Sequence, residues 1–272
     1  MLPWARRVWL GGASVTMRKI SGLRDIAQNF DAMLIDQFGV IHDGQKLYSG
    51  VAEVMAELHQ LHIPVIITTN SGKRATANVE RIVKMGIARD QFVDCVSSGE
   101  VAFQSLDVER VFLIGKDGEN YGFDSVTFVD DVHKAEVILI LGSNAPSTSL
   151  DDYRKFFEGL TLPAVCCNPD KLMLTPHGLQ PAPGAIAAVY EAEGGAVTWI
   201  GKPYAGIYKF ALEKLGNPTR VLCIGDSAEH DVAGGRGAGL STLLVQQGIS
   251  ADVVESDLHP RPDYLMPAFR WS

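Results

Sequence analysis

Six polar residues stand where apolar runs end, and together they could handle a phosphoryl group. Asp36 follows Ala32-Met33-Leu34-Ile35, and Thr69-Asn70 closes the run that begins at Val65. Lys202 follows Val197-Thr198-Trp199-Ile200-Gly201. Asp226 follows Val221-Leu222-Cys223-Ile224-Gly225, with Asp231 just beyond it. Strands of a parallel sheet release such endings along one edge, where open α/β sheets bind ligands. Two carboxylates buried there repel each other unless a cation lies between them. Mg²⁺ takes oxygen ligands and is commonly held by one or two carboxylates with a phosphate, so Asp36 and Asp226 point to a Mg²⁺ site. Thr69, the backbone amide of Asn70 and Lys202 can neutralise the remaining phosphoryl oxygens. Asp36 is then free to attack phosphorus and form an aspartyl-phosphate. Asp231, one helical turn past Asp226, is placed to orient Lys202 or a metal-bound water. Each residue also has an ordinary reading, since carboxylates cap helices and start turns and a lysine before a proline can lie on the surface.

The elements that must carry these residues follow a strand–helix rhythm. A short helix is expected over Ile20 to Asn29, then a buried strand ending at Asp36. Gly39 and Gly44 bracket a sharply bent segment. Val51, Val54, Met55, Leu58 and Leu61 recur at helical spacing. Val65 to Thr69 has the continuous apolar character of a parallel strand covered on both faces. A helix over Ala75 to Met85, a strand from Phe92 and a helix over Glu100 to Leu106 complete three βα units, which predicts a doubly wound, Rossmann-like parallel sheet. Near Val108 the pattern changes. Strands at 111–115, 137–142 and 163–167, with helices at 153–157 and 186–193, read as an inserted α/β cap domain over 108–195. The core then comprises 17–107 and 196–272. Its sheet is expected to resume with Val197 to Ile200, continue through Val221 and end at Ser241 to Val245. Asp257 to Pro267, rich in proline, is expected to wrap the surface.

Bulk properties narrow the partners. The 272 residues carry a formal net charge of −8, which offers no electrostatic footprint for nucleic acid. No run approaches the roughly 20 apolar residues of a membrane helix. The four cysteines include one vicinal pair and no metal-type CxxC spacing, as in reduced cytoplasmic proteins. Residues 1–16 contain a twin arginine but only a short apolar stretch and no A-x-A-like site. They are expected to be a disordered or non-native extension ahead of a start at Met17.

With these motifs in order, the chain resembles the haloacid dehalogenase (HAD) superfamily, and within it the type IIA branch of 4-nitrophenylphosphatase-like and pyridoxal-phosphatase-like enzymes. Asp36-Gln37-Phe38-Gly39-Val40 is similar to the first motif and Thr69-Asn70 to the second. Lys202 in Gly201-Lys202-Pro203 is similar to the third, and Gly225-Asp226-Ser227 through Asp231 to the fourth. Cys167-Asn168-Pro169-Asp170 and Pro183-Gly184-Ala185-Ile186 resemble the branch's α/β cap with its substrate-facing loop. The resemblance implies Asp36 as nucleophile, and a metal held by Asp36, Asp226 and the backbone carbonyl of Phe38. It also implies a substrate-facing role for Asn168 and Asp170, and a homodimer formed through the cap.

One position departs from the pattern. Phosphatases of this superfamily carry a second Asp two residues after the nucleophile as general acid/base, and here that residue is Phe38. His42 is the preferred substitute, because an unperturbed imidazole titrates near neutrality; Asp43 and the cap's His177 are others. Three functions follow. The first is a Mg²⁺-dependent phosphatase of a small phosphorylated metabolite. The second is a phosphometabolite-binding or regulatory protein with impaired turnover. The third is a metal-independent, dehalogenase-type hydrolase, against which the retained Asp226, Asp231 and α/β cap argue.

Overall fold

A computed structural model of the chain describes residues 17–175 and 178–272. The extension over 1–16 and His177 fall outside them. The first half runs β1 (Arg18–Lys19), β2 (Ala32–Asp36), α1 (Val51–Gln60), β3 (Val65–Thr69), α2 (Ala75–Lys84), β4 (Asp94–Ser97) and α3 (Ser98–Ser105). Next come β5 (Arg110–Ile114), β6 (Thr127–Phe128), β7 (Val137–Ile140), α4 (Leu150–Phe157) and β8 (Ala164–Cys166). A hairpin of β9 (Leu172–Thr175) and β10 (Gly178–Pro181) leads to α5 (Pro183–Ala192) and β11 (Val197–Trp199). The chain closes with α6 (Ala205–Lys214), β12 (Val221–Gly225), α7 (Ala233–Gly237), β13 (Ser241–Val245) and β14 (Tyr264–Met266).

Seven strands form one parallel sheet in the order β1-β14-β13-β12-β2-β3-β4. Every residue of β2, β3 and β12 is buried, because helices cover both faces. Successive side chains alternate between faces. Met33 and Ile35 pack with Val51, Val54 and Leu58 of α1, while Ala32 and Leu34 pack with Ile207, Tyr208 and Ala211 of α6. The expected doubly wound α/β architecture is therefore present.

A second parallel sheet has the order β11-β8-β7-β5-β6. One of its faces is covered by Tyr153 and Phe157 of α4 with Ile186 and Tyr190 of α5. The other packs Leu139, Tyr121 and Phe123 against Ala102 and Phe103 of α3. Among the described residues no helix is long and apolar enough to cross a membrane.

Three expectations change. Val197–Trp199 does not resume the first sheet; it is the edge strand of the second, paired with β8, so the cap's sheet extends past residue 195. The expected helix at Ile20 to Asn29 is two 3₁₀ turns, because Leu23 and Arg24 donate their amides to the carbonyls of Arg270 and Trp271 instead of continuing a helix. The C-terminal segment does more than wrap the surface, since Tyr264–Met266 inserts between β1 and β13. Strands of two or three residues carry too little periodicity to be read from sequence.

Candidate active site

The loop after β2 is folded on its own backbone. Ile41 and His42 both donate their amides to the Gln37 carbonyl, at 3.0 and 3.2 Å, and Gly39 donates to the His42 carbonyl at 3.0 Å. Gly39 holds φ +91°, and a Cβ there would stand 1.9 Å from Asp226 Oδ2. Only glycine lets this loop close over the second carboxylate. Asp43 shapes the far end, its Oδ1 accepting from the amides of Gln45 and Lys46 at 2.9 Å each.

His42 does not join the catalytic groups as expected. Its ring is buried, Nδ1 accepts from the Gly44 amide at 2.9 Å, and Nε2 lies enclosed without a partner. Burial, with a contribution from Arg81, lowers its pKa to about 4. A neutral imidazole pinning a turn is a poor acid/base at neutral pH, so the structure gives His42 a loop-holding role. Phe38 packs edge-on against it, ring centroids 5.9 Å apart, and leaves 49% of its own surface exposed.

Asp36, at the carboxyl end of β2, meets Lys202 and Asp231 in a buried network. Lys202 Nζ donates to Asp36 Oδ1, and to Asp231 Oδ1 at 2.6 Å. The other oxygen of Asp231 accepts from the Ser227 amide at 3.1 Å. Asp226 is held by the next loop: its Oδ2 accepts from the Ile249 amide at 2.8 Å, and Ser250 Oγ donates to its carbonyl. One oxygen from each of Asp36, Asp226 and Asp231 can be chosen so that all lie within 4.8 Å of one another.

Electrostatics make this cluster expectant of a cation. Burial pushes the Asp36 carboxyl well above its ordinary range; Lys202 opposes this and Asp231 and Asp226 reinforce it. Burial, then Asp231, pushes Asp226 up to about 7. Burial works against the Lys202 charge, but Asp231 and Asp36 more than reverse it and raise its pKa. One ammonium faces three carboxylates, and the donor atoms are all hard oxygens, which suits a divalent ion such as Mg²⁺. Both oxygens of Asp231 are engaged by Lys202 and Ser227. Asp36 and Asp226 each keep an oxygen outside these bonds.

Lys202 arrives by an unexpected route. It lies on the connection from β11 of the second sheet to α6, and the Asn70 side chain fixes its main chain. Asn70 Oδ1 accepts from the Lys202 amide at 2.7 Å, and Nδ2 donates to the Lys202 carbonyl at 3.1 Å and to Asp170 Oδ1 at 2.9 Å. The carboxamide thus ties the β3 loop, the lysine and the cap together. Thr69 ends β3, its Oγ1 accepting from the Ser71 amide at 3.3 Å. Asp170 does reach the site. Asn168 turns its side-chain oxygen to the Asp170 amide at 3.0 Å, so it shapes the turn that delivers Asp170. His230, which the sequence reading passed over, places Nε2 3.7 Å from Asp170 Oδ1 and Nδ1 3.1 Å from Ser227 Oγ. Its place between Asp226 and Asp231 was the available signal.

The chain is similar to known proteins. Residues 33–129 match the family described as haloacid dehalogenase-like hydrolase, and residues 199–271 match the HAD-hydrolase-like family. A dihydroxyacetone phosphatase from Corynebacterium glutamicum is 42% identical over 90 residues, spanning 32% of this chain and 33% of that protein. An acid sugar phosphatase from Staphylococcus epidermidis is 26% identical over 254 residues, spanning 86% of this chain and 93% of that one. The crystal structure of a haloacid dehalogenase-like hydrolase from Brucella suis superposes with a TM-score of 0.81 at 25% identity, covering 92% of this chain and 99% of that chain.

Proposed function

The chain belongs to the haloacid dehalogenase-like hydrolases, and on that premise we propose that it is a Mg²⁺-dependent phosphatase of a small phosphorylated metabolite, acting through an aspartyl-phosphate on Asp36. The observation that carries this reading is the geometry at Asp36: one oxygen is held by Lys202, the other makes none of these bonds, and the carboxylate lies in a cluster with Asp226 and Asp231 whose oxygens come within 4.8 Å of one another. Relatives named dihydroxyacetone phosphatase and acid sugar phosphatase support the reaction class.

Asp36 supplies the attacking oxygen. Lys202, fixed at its main chain by Asn70 and at Nζ by Asp231, holds that carboxylate oriented and places positive charge where the phosphoryl oxygens gather. The Thr69 hydroxyl and the amides that follow it stand at the same sheet edge to receive a phosphoryl oxygen. Asp36, Asp226 and the Phe38 carbonyl would hold the Mg²⁺, which supplies charge neutralisation for the phosphoryl group when bound. Asp170, presented by the cap and bonded to the Asn70 side chain, would meet the rest of the substrate. The four cysteines are free and buried, which fits a reducing, cytoplasmic setting.

Phe38 favours a second reading, in which the site binds its phosphometabolite and turns it over very slowly. Phosphate release from a panel of small phosphate esters separates the two. Release that needs Mg²⁺, stops with EDTA and is abolished by Asp36→Asn supports the phosphatase. Metabolite binding with no release above the Asp36→Asn background supports the binding protein.

A further inference from the structure

Breaking a P–O bond leaves an electron pair on the departing oxygen. An alkyl leaving group needs a proton there, and supplying it from a positioned acid typically contributes about 10²–10⁴-fold. Among the described residues, each ionisable side chain around Asp36 already has a protein partner, Asp170 through the Asn70 side chain. Lys202 Nζ is shared between Asp36 and Asp231. Both Asp231 oxygens accept from protein donors, and the Asp226 carboxylate accepts from the Ile249 amide. The two ring nitrogens of His230 face Ser227 and Asp170. Asp43 is turned into its own loop, and His42 is enclosed with Nδ1 engaged. The exposed side chain two residues after Asp36 is instead hydrocarbon: the half-exposed ring of Phe38, backed by His42 and lying against Gly44, where an added Cβ would stand 3.1 Å from the ring.

We propose that this site selects phosphoryl donors whose leaving oxygen departs as a stabilised anion, namely aryl, enol or acyl phosphates, over alkyl phosphate esters. The inference rests on the phosphatase reading and narrows its substrate class. Asp36 forms the new P–O bond, and the electron pair of the broken bond stays on the leaving oxygen, delocalised into its planar group, with no proton transferred. Water then attacks phosphorus, the P–O bond to Asp36 breaks, and the carboxylate returns as inorganic phosphate and a proton leave. The Phe38 ring forms an apolar wall against which a planar leaving group can lie.

The test is the dependence of kcat/KM on leaving-group basicity. The Mg²⁺-loaded enzyme is assayed at one pH with substituted phenyl phosphates, acetyl phosphate and an alkyl phosphate. A fall of roughly 10²–10⁴-fold from the least to the most basic leaving group, the size of a missing general-acid contribution, is expected. Phe38→Asp should flatten that fall by raising kcat/KM for basic leaving groups. Phe38→Leu, apolar without being aromatic, should keep it. A flat dependence in the wild-type enzyme overturns the inference, whichever residue supplies the proton, His177 of the cap included, and leaves the phosphatase reading standing. Release that is equal in wild type and Asp36→Asn for every donor overturns the phosphatase reading itself and this inference with it.

Discussion

Mg²⁺ should stabilise this fold far more at pH 8 than at pH 5.5, because the carboxylates that would hold it are uncomfortable as anions without it. Burial and Asp231 raise the Asp226 carboxyl from 3.8 to about 7. The folded chain therefore holds that proton more tightly than the unfolded chain between those values. The metal-free fold gains stability from this group as pH falls from about 7 toward 3.8, and above 7 it carries the full penalty of the buried anion. At about 1.4 kcal/mol per unit, that penalty is on the order of 4 kcal/mol, and Asp36, shifted in the same direction, adds to it. A cation must displace the proton, so at pH 5.5 its apparent affinity falls roughly thirtyfold. At a Mg²⁺ concentration about 100 times the pH 8 dissociation constant, binding contributes about 2.7 kcal/mol, or roughly 5–10 °C in Tm for a chain of this size. The same concentration at pH 5.5 contributes under about 1 kcal/mol, roughly 2–3 °C. Thermal unfolding with and without Mg²⁺ at matched ionic strength measures both shifts. Equal shifts at the two pH values would refute the electrostatic reasoning, and so would an undiminished shift in Asp226→Asn.

Three substitutions probe the supports of the site. Lys202→Met strands two buried carboxylates that now share one ammonium; a loss of about 3–5 kcal/mol is expected, and adding Asp231→Asn should recover part of it in urea unfolding. Gly39→Ala forces a Cβ to 1.9 Å from Asp226 Oδ2 at φ +91°. It should cost roughly 1–3 kcal/mol and shrink the Mg²⁺-induced Tm shift, whereas a wild-type shift would show that the loop yields without disturbing the carboxylate. His42→Ala should lower Tm by opening the loop that Nδ1 holds, with kcat reduced by less than about tenfold; a loss in the 10²–10⁴ range typical of a removed acid/base would restore the histidine to catalysis.

The residues of the site were legible because burial writes itself into sequence most clearly in central parallel strands. Ala32–Asp36, Val65–Thr69 and Val221–Gly225 are covered on both faces, so their apolar runs are continuous and the first polar residue after each stands out. His42 misled for a related reason. Its chemistry is visible in its identity, but its enclosure depends on Phe38 and the Gly44 amide, contacts that no linear spacing announces. Asn70 was placed at the site for its backbone amide, while the structure uses its side chain, whose donor and acceptor together fit the two main-chain groups of Lys202. The allegiance of Val197–Trp199 was hidden most deeply, since three residues set no register and pairing with β8 is a non-local choice. Lys202 nonetheless ends beside Asp36. Its position therefore does not come from a strand of the first sheet, as the apolar run before it suggested, but from a crossing between two sheets that Asn70 and Asp170 clasp at the same point. Asn70 thus holds the main chain of Lys202 and the Asp170 carboxylate with one carboxamide.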